Sequence, residues 1–184
     1  PSVLAGASPH DGLHTLYVSP LKALAHDVQR GLLAPIAELD LPIRVETRSG
    51  DTPSDRKARQ RARPPHVLLT TPESLSLLLS YPESAELFAG LQRIVIDEVH
   101  AFATGKRGDL LALALTRLQA LAPDMQRAAL SATVAEPDSF RTWLAPGGQA
   151  GSVDLVLGEP GAPPQLSILL PDQARVPWGG HAAA

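Results

Sequence analysis

A length of 184 residues, with 44% apolar and 19% charged side chains, gives a chain of ordinary globular composition that can bury one sizeable core. Its net charge of −3 leaves no global basic field, so any contact with nucleic acid must be local. The lack of cysteine excludes disulfides, thiol catalysis and Cys-based zinc sites, and the six histidines are too scattered to pair on one helix face. With no signal peptide and no apolar run long enough for a bilayer, the chain reads as cytoplasmic with no membrane partner.

Residues 1–12 are loop-like and start without Met, which reads as a piece of something longer. A first strand is expected from His14 to Ser19, after which Ser19-Pro20 supplies a helix N-cap and a first-turn proline. The helix carries Leu21, Leu24, Ala25, Val28 and Leu32 on one face, and Pro35 is expected to end or kink it. A second strand from Ile43 to Thr47 leads into Arg48-Ser49-Gly50-Asp51, and Thr52-Pro53 opens a basic helix. That helix holds Arg56, Lys57, Arg59, Arg61 and Arg63, readable as a solvated face or as a contact to a nucleic-acid backbone. The third strand runs from His66 to Thr70, and Thr71-Pro72-Glu73 caps and opens the helix bearing Leu75, Leu78 and Leu79.

Arg93 to Asp97 is the fourth strand, and a Leu- and Ala-rich helix follows from about Gly108 to Leu121. A fifth strand is expected from Arg127 to Ser131, a short helix from Glu136-Pro137 to Trp143, and a sixth strand from Val153 to Leu157. The proline-rich stretch 159–184 suits an extended linker. Short apolar strands alternating with helices predict an α/β fold, a parallel sheet covered on both faces, whose ligands gather at the C-terminal strand ends. Ser19, Thr70, Asp97 and Ser131 all fall at that edge. Asp97 and Glu98 are adjacent carboxylates at the end of a buried strand, a costly placement without a cation or ligand.

Taken in order, the segments Y-V-S-P-L-K-A-L, S-G-D-T-P, T-T-P-E-S-L, V-I-D-E-V-H-A-F and L-S-A-T-V resemble the first motor domain of superfamily 2 DEAD/DEAH-type helicases. K-R-G-D-L-L-A-L at 106–113, S-A-T-V-A-E-P at 131–137 and R-V-P-W-G-G-H at 175–181 are similar to the large helicase-related family, and within it to the DNA-ligase-associated DEXH-box branch. The resemblance implies a RecA-like, P-loop NTPase-type sheet over 13–158 and ATP and Mg²⁺ as cofactors. It also implies a DNA-repair motor that moves along a single strand, with duplex or hybrid ahead.

Asp97 would hold Mg²⁺ through water together with Glu98, and Glu98 would polarise the attacking water. His100 would link them to Ser131 and Thr133. The nucleic-acid contacts implied are Ser19, Pro20, Leu21 and Lys22; Ser49, Gly50 and Asp51; and Thr70, Thr71, Pro72 and Glu73, where helix N-termini offer free N–H groups.

One motif of such motors is missing. No G-x-x-x-x-G-K-[ST] string occurs; Gly105-Lys106 is followed by Arg107, and His100 stands where the leading Gly belongs. The chain therefore reads as an incomplete RecA-like domain without its first strand, P-loop and following helix, with 159–184 leading to a second RecA-like domain. Alone it is expected to be inactive as an ATPase. Two alternatives are a nucleic-acid-binding RecA-like module that does not hydrolyse ATP, and a metal-dependent hydrolase built on Asp97, Glu98 and His100.

Overall fold

A computed structural model describes residues 12–158 apart from 103, 104, 133 and 135. The expected segments 1–12 and 159–184 therefore lie outside it, save for Gly12. Five four-residue strands, β1 Thr15–Val18, β2 Val45–Arg48, β3 Val67–Thr70, β4 Arg93–Ile96 and β5 Gln126–Ala129, form one sheet in the order β2-β3-β1-β4-β5. Every pairing is parallel, and Val18 lies level with both Thr70 and Ile96, and Ile96 with Ala129. The helices between the strands are α1 Lys22–Glu38, α2 Ser54–Ala62, α3 Pro72–Ser80, α4 Ser84–Phe88, α5 Lys106–Leu121 and α6 Pro137–Leu144.

Strand alternation divides the packing. Leu16, Val18, Leu68, Ile94 and Ile96 point to one face, where Leu75, Leu78 and Leu79 of α3, Phe88 of α4 and Leu111, Leu115 and Leu118 of α5 complete the main core. On the other face Leu69 and Val45 meet Ala25 of α1, with Tyr17 and Val28 beside them. Coverage of this second face is uneven. It extends over β1, β2 and β3, whereas Gln126 and Ala128 of β5 are exposed and Val95 of β4 is half-buried. β5 pairs with β4 alone among the described residues.

Three expectations need correction. Residues 153–157 form no strand; a 3₁₀ turn at Ala150–Ser152 precedes them, and Val156 is 89% exposed. The Val153 carbonyl instead accepts from Arg141 Nε at 2.8 Å, so α6 takes a group that a sheet ladder would have used. Pro35 does not stop α1, which runs on to Glu38; the proline sits in the last turn, where only one helical bond is forfeited, and its carbonyl accepts from Leu39 N–H at 3.1 Å. Leu32 does not join the buried face and is 37% exposed.

The connection from β4 to α5 packs closely on the start of that helix. A 3₁₀ turn, Val99–Phe102, buries Val99 and Phe102, and α5 begins four residues later. Gly108 then packs so closely on this turn that a Cβ there would lie 2.2 Å from the Phe102 carbonyl oxygen. The contact is entirely with Phe102 backbone, which cannot swing aside. Gly108→Ala is therefore expected to cost about 1–3 kcal/mol, read as a lowered urea midpoint with an unchanged slope; a wild-type midpoint would mean that α5 slides freely against the turn.

Candidate nucleotide and nucleic-acid site

The register brings the ends of β1, β4 and β5 to one edge. Asp97 N–H donates to the Val18 carbonyl at 2.8 Å, extending the sheet by one residue. The chain then turns sharply: Glu98 has φ +49°, a left-handed conformation that a non-glycine residue adopts only at a cost. Two bonds hold it there. The Glu98 N–H donates to Asp97 Oδ1 at 3.0 Å, and the Val99 N–H donates to the Leu130 carbonyl at 2.9 Å. Among the described residues only Asp40, just past the end of α1, shares this non-glycine left-handed conformation.

His100 occupies the junction. Its Nδ1 lies 2.9 Å from Ser131 Oγ and 3.2 Å from Glu98 Oε2. Glu98 Oε2 is buried and makes no hydrogen bond, so this carboxylate oxygen is held near the imidazole without being satisfied. Ser131 is half-buried beyond the end of β5, and Thr133 lies outside the described residues. Thus the structure gathers Asp97, Glu98, His100 and Ser131.

Tyr17 joins them from β1. Burial, the neighbouring Asp97 carboxylate and the charge of Glu98 together push its hydroxyl far above the ordinary tyrosine value. The sequence carried a signal for it, because a tyrosine on a buried strand needs a partner for its O–H.

Among the described residues no three His, Asp or Glu side chains cluster as a metal cage. Two adjacent carboxylates, one with an unsatisfied oxygen, nevertheless fit Mg²⁺, which keeps several waters and is bound by one or two carboxylates together with substrate phosphates.

The residues implied in nucleic-acid contact fall into two layers. Ser19, Pro20, Ser49, Thr70, Thr71 and Pro72 are buried, while Leu21, Lys22, Gly50, Asp51 and Glu73 are exposed. The buried layer shapes the loops. Thr71 Oγ1 caps α3 by accepting from Ser74 N–H, Thr70 Oγ1 donates to the Arg48 carbonyl at 2.9 Å, and Thr52 Oγ1 accepts from Ser49 N–H at 2.9 Å.

Ser19 does not cap α1 as expected. Its N–H is still in the sheet, donating to the Thr70 carbonyl, so its hydroxyl is buried without a partner and the helix begins at Lys22 after an extended Leu21. In the exposed layer Lys22 pairs with Asp51, which joins the loops after β1 and β2, and Leu21 is 58% exposed.

The basic helix α2 is committed within the fold. Arg56 and Arg59 pair with Glu46 at 3.2 and 3.3 Å, Lys57 Nζ donates to the Gly50 carbonyl at 2.7 Å, and Arg61 stacks 4.3 Å from the Tyr81 ring centre. Arg107, which sequence reasoning gave no contact role, pairs with Glu73 at 2.6 Å and donates to the Pro20 carbonyl at 2.9 Å.

Comparison with known proteins agrees with this geometry. The family model for DEAD/DEAH box helicases matches residues 3–140. The chain belongs to the DEAD/DEAH box helicase family. It is 43% identical over 133 residues to the ATP-dependent helicase Lhr-Core of Methanothermobacter thermautotrophicus, covering 67% of this chain and 15% of that protein. To the Lhr helicase/uracil glycosylase of Escherichia coli it is 41% identical over 169 residues, or 85% of this chain and 11% of the relative. Among solved structures, Mycobacterium smegmatis helicase Lhr bound to ssDNA and AMP-PNP matches with a TM-score of 0.67 and 44% identity, over 73% of this chain and 19% of that one. The parallel five-stranded sheet is thus that of a RecA-like helicase domain, and the chain spans less than a fifth of the length of these relatives.

The Glu46 cluster makes a testable acid-side signature. Burial alone would raise the Glu46 carboxyl, but bonds from Gln60 and Arg56 and the charges of Arg59 and Arg56 outweigh it, leaving the carboxyl below its ordinary range. A carboxyl depressed by folding stabilises the fold above its unfolded value, and that contribution disappears as pH falls through the folded one. Glu46→Gln should lower Tm at neutral pH and shrink the further loss of Tm between pH 5 and 3, roughly the window in which a depressed glutamate titrates; parallel wild-type and variant curves would dismiss the cluster as a stabiliser. Because the same arginines are engaged internally, replacing Arg56, Lys57 and Arg59 by Gln should leave the salt dependence of single-strand binding unchanged. A slope reduced by about 0.7 per residue would instead place them on phosphates.

Proposed function

We propose that the complete protein couples ATP hydrolysis to movement along one strand of nucleic acid, DNA in a repair context, and that this chain forms part of its first motor domain. The observation that carries the reading is the junction at His100, within 3.2 Å of the Glu98 carboxylate and 2.9 Å of Ser131. It joins the acids at the end of β4 to the segment leaving β5, the path by which a nucleotide's state would be felt elsewhere in the domain. Residues 13–158 are the partial RecA-like unit in this proposal, and 159–184 are a linker to a second such domain. The segments at 106–113, 131–137 and 175–181 favour the ligase-associated branch.

In this reading Asp97, beside the Tyr17 hydroxyl, and Glu98 would hold Mg²⁺. The ion supplies charge neutralisation at the phosphates when bound. Glu98 orients the attacking water and accepts its proton, and its strained backbone holds the carboxylate off the sheet axis for that task. Exposed Leu21, Lys22, Gly50 and Asp51 lie along the same edge and would track one strand of DNA or RNA, with Glu73 beside them engaged by Arg107. Assembly with the phosphate-cradling loop is needed for turnover, so the 184-residue chain alone would hydrolyse ATP no faster than background.

ATP hydrolysis by the full-length protein, with and without a single-stranded oligonucleotide, tests the reading. Stimulation by the strand is expected, and Glu98→Gln should reduce the stimulated rate by at least about a hundredfold while single-strand binding persists. Strand binding with no hydrolysis in the wild type would favour a non-catalytic nucleic-acid-binding module. Strand-stimulated hydrolysis by the isolated chain would refute the proposed dependence on a separate phosphate loop.

A further inference from the structure

Arg107 stands in the first turn of α5, outside every residue assigned above to chemistry or strand contact. Its guanidinium makes a two-pronged pair with Glu73, Nε to Oε1 at 2.6 Å and Nη2 to Oε2 at 3.3 Å, and the same Nη2 donates to the Pro20 carbonyl at 2.9 Å. Its carbon centre lies 5.8 Å from the ring of Phe102, at the end of the 3₁₀ turn that follows Asp97-Glu98. One side chain therefore touches the loop after β1, the first turn of α3 and the turn after β4.

We propose that Arg107 is a positioning residue that fixes the strand-facing loops after β1 and β3 against the segment leaving the catalytic carboxylates. The proposal rests on the functional reading above. Three features support it. The pair is 43% and 51% exposed, and ion pairs that open contribute little to folding, so what the contact chiefly provides is relative placement. The planar fork meets a carboxylate and a carbonyl at once, which a single ammonium cannot reproduce. Finally, the seating of Gly108 on the Phe102 carbonyl fixes the start of α5, so Arg107 is aimed from a rigid base. Pro20 and Glu73 flank the exposed surface, Pro20 next to Leu21 and Glu73 at the mouth of α3. A strand bound across that surface meets loops already held at the correct separation.

The test uses full-length protein, a fluorescent oligo-dT and anisotropy titrations across a range of salt concentrations. Arg107→Gln, Arg107→Lys, Glu73→Gln and the Arg107→Gln/Glu73→Gln double variant are compared with wild type. Each single variant should weaken binding about five- to tenfold, and the double variant no further, because both changes break one contact. Arg107→Lys keeps the charge and the aliphatic stem, and with them the fold, yet should not restore affinity; it is the deciding variant.

The slope of log Kd against log salt should match wild type. A slope lower by about 0.7 would make Arg107 itself a phosphate contact and overturn the positioning role. Wild-type affinity in Arg107→Lys would overturn it as well. Wild-type protein that fails to bind oligo-dT would remove the functional reading and this proposal together, whereas wild-type binding with unaltered variants removes this proposal alone.

Discussion

Parallel pairing is the constraint on which the site depends. Because β1, β3, β4 and β5 run in one direction with Val18, Thr70, Ile96 and Ala129 level, every loop that leaves them departs from the same edge. Polar groups that would be costly within the sheet are tolerable where the ladder ends and helix N-termini begin. Asp97 marks the boundary, its N–H still bonded to Val18 as a strand residue and its carboxylate already outside. Chemistry at this edge needs no separate scaffold, since the core beneath positions it.

Glu98 shows how the fold meets the cost of a strained and incompletely bonded carboxylate. Its left-handed backbone, its adjacency to another carboxylate and its unsatisfied Oε2 are all unfavourable in isolation. They persist because Val99 is buried and tied to Leu130, Phe102 is locked beneath Gly108, and β5 lies level with β4. Strain sits on one residue, while the residues on both sides are over-determined. This division holds the carboxylate rigid without solvating it fully.

Much of this was legible in the chain. Short apolar runs ending in Ser, Thr or Asp identified all five strands and their common edge, and the D-E-V-H and S-A-T strings marked the two strand ends that His100 joins. The sixth strand failed because Val153–Leu157 has strand-like composition, and composition does not reveal whether a neighbouring ladder exists. Ser19 failed as a cap because its N–H bonds Thr70 across the sheet, a contact invisible to local pattern. Arg107 was the largest omission. Its partners Glu73 and Pro20 are 34 and 87 residues away, and no periodicity joins such positions. The basic run of α2 looked like a free patch for the same reason, since Glu46 lies on a strand that local reading treats separately.

The uneven cover of the sheet has a practical consequence. β5 offers an outer row of backbone donors and acceptors, and its four residues include only one charge, Arg127, whose guanidinium is turned back toward the Leu115 and Leu144 carbonyls. Natural sheet edges are usually guarded by charges, bulges or a covering segment. Among the described residues no further strand covers this edge, and where none does, such an edge is a template for pairing between copies, with colloidal behaviour rather than folding stability limiting the usable concentration.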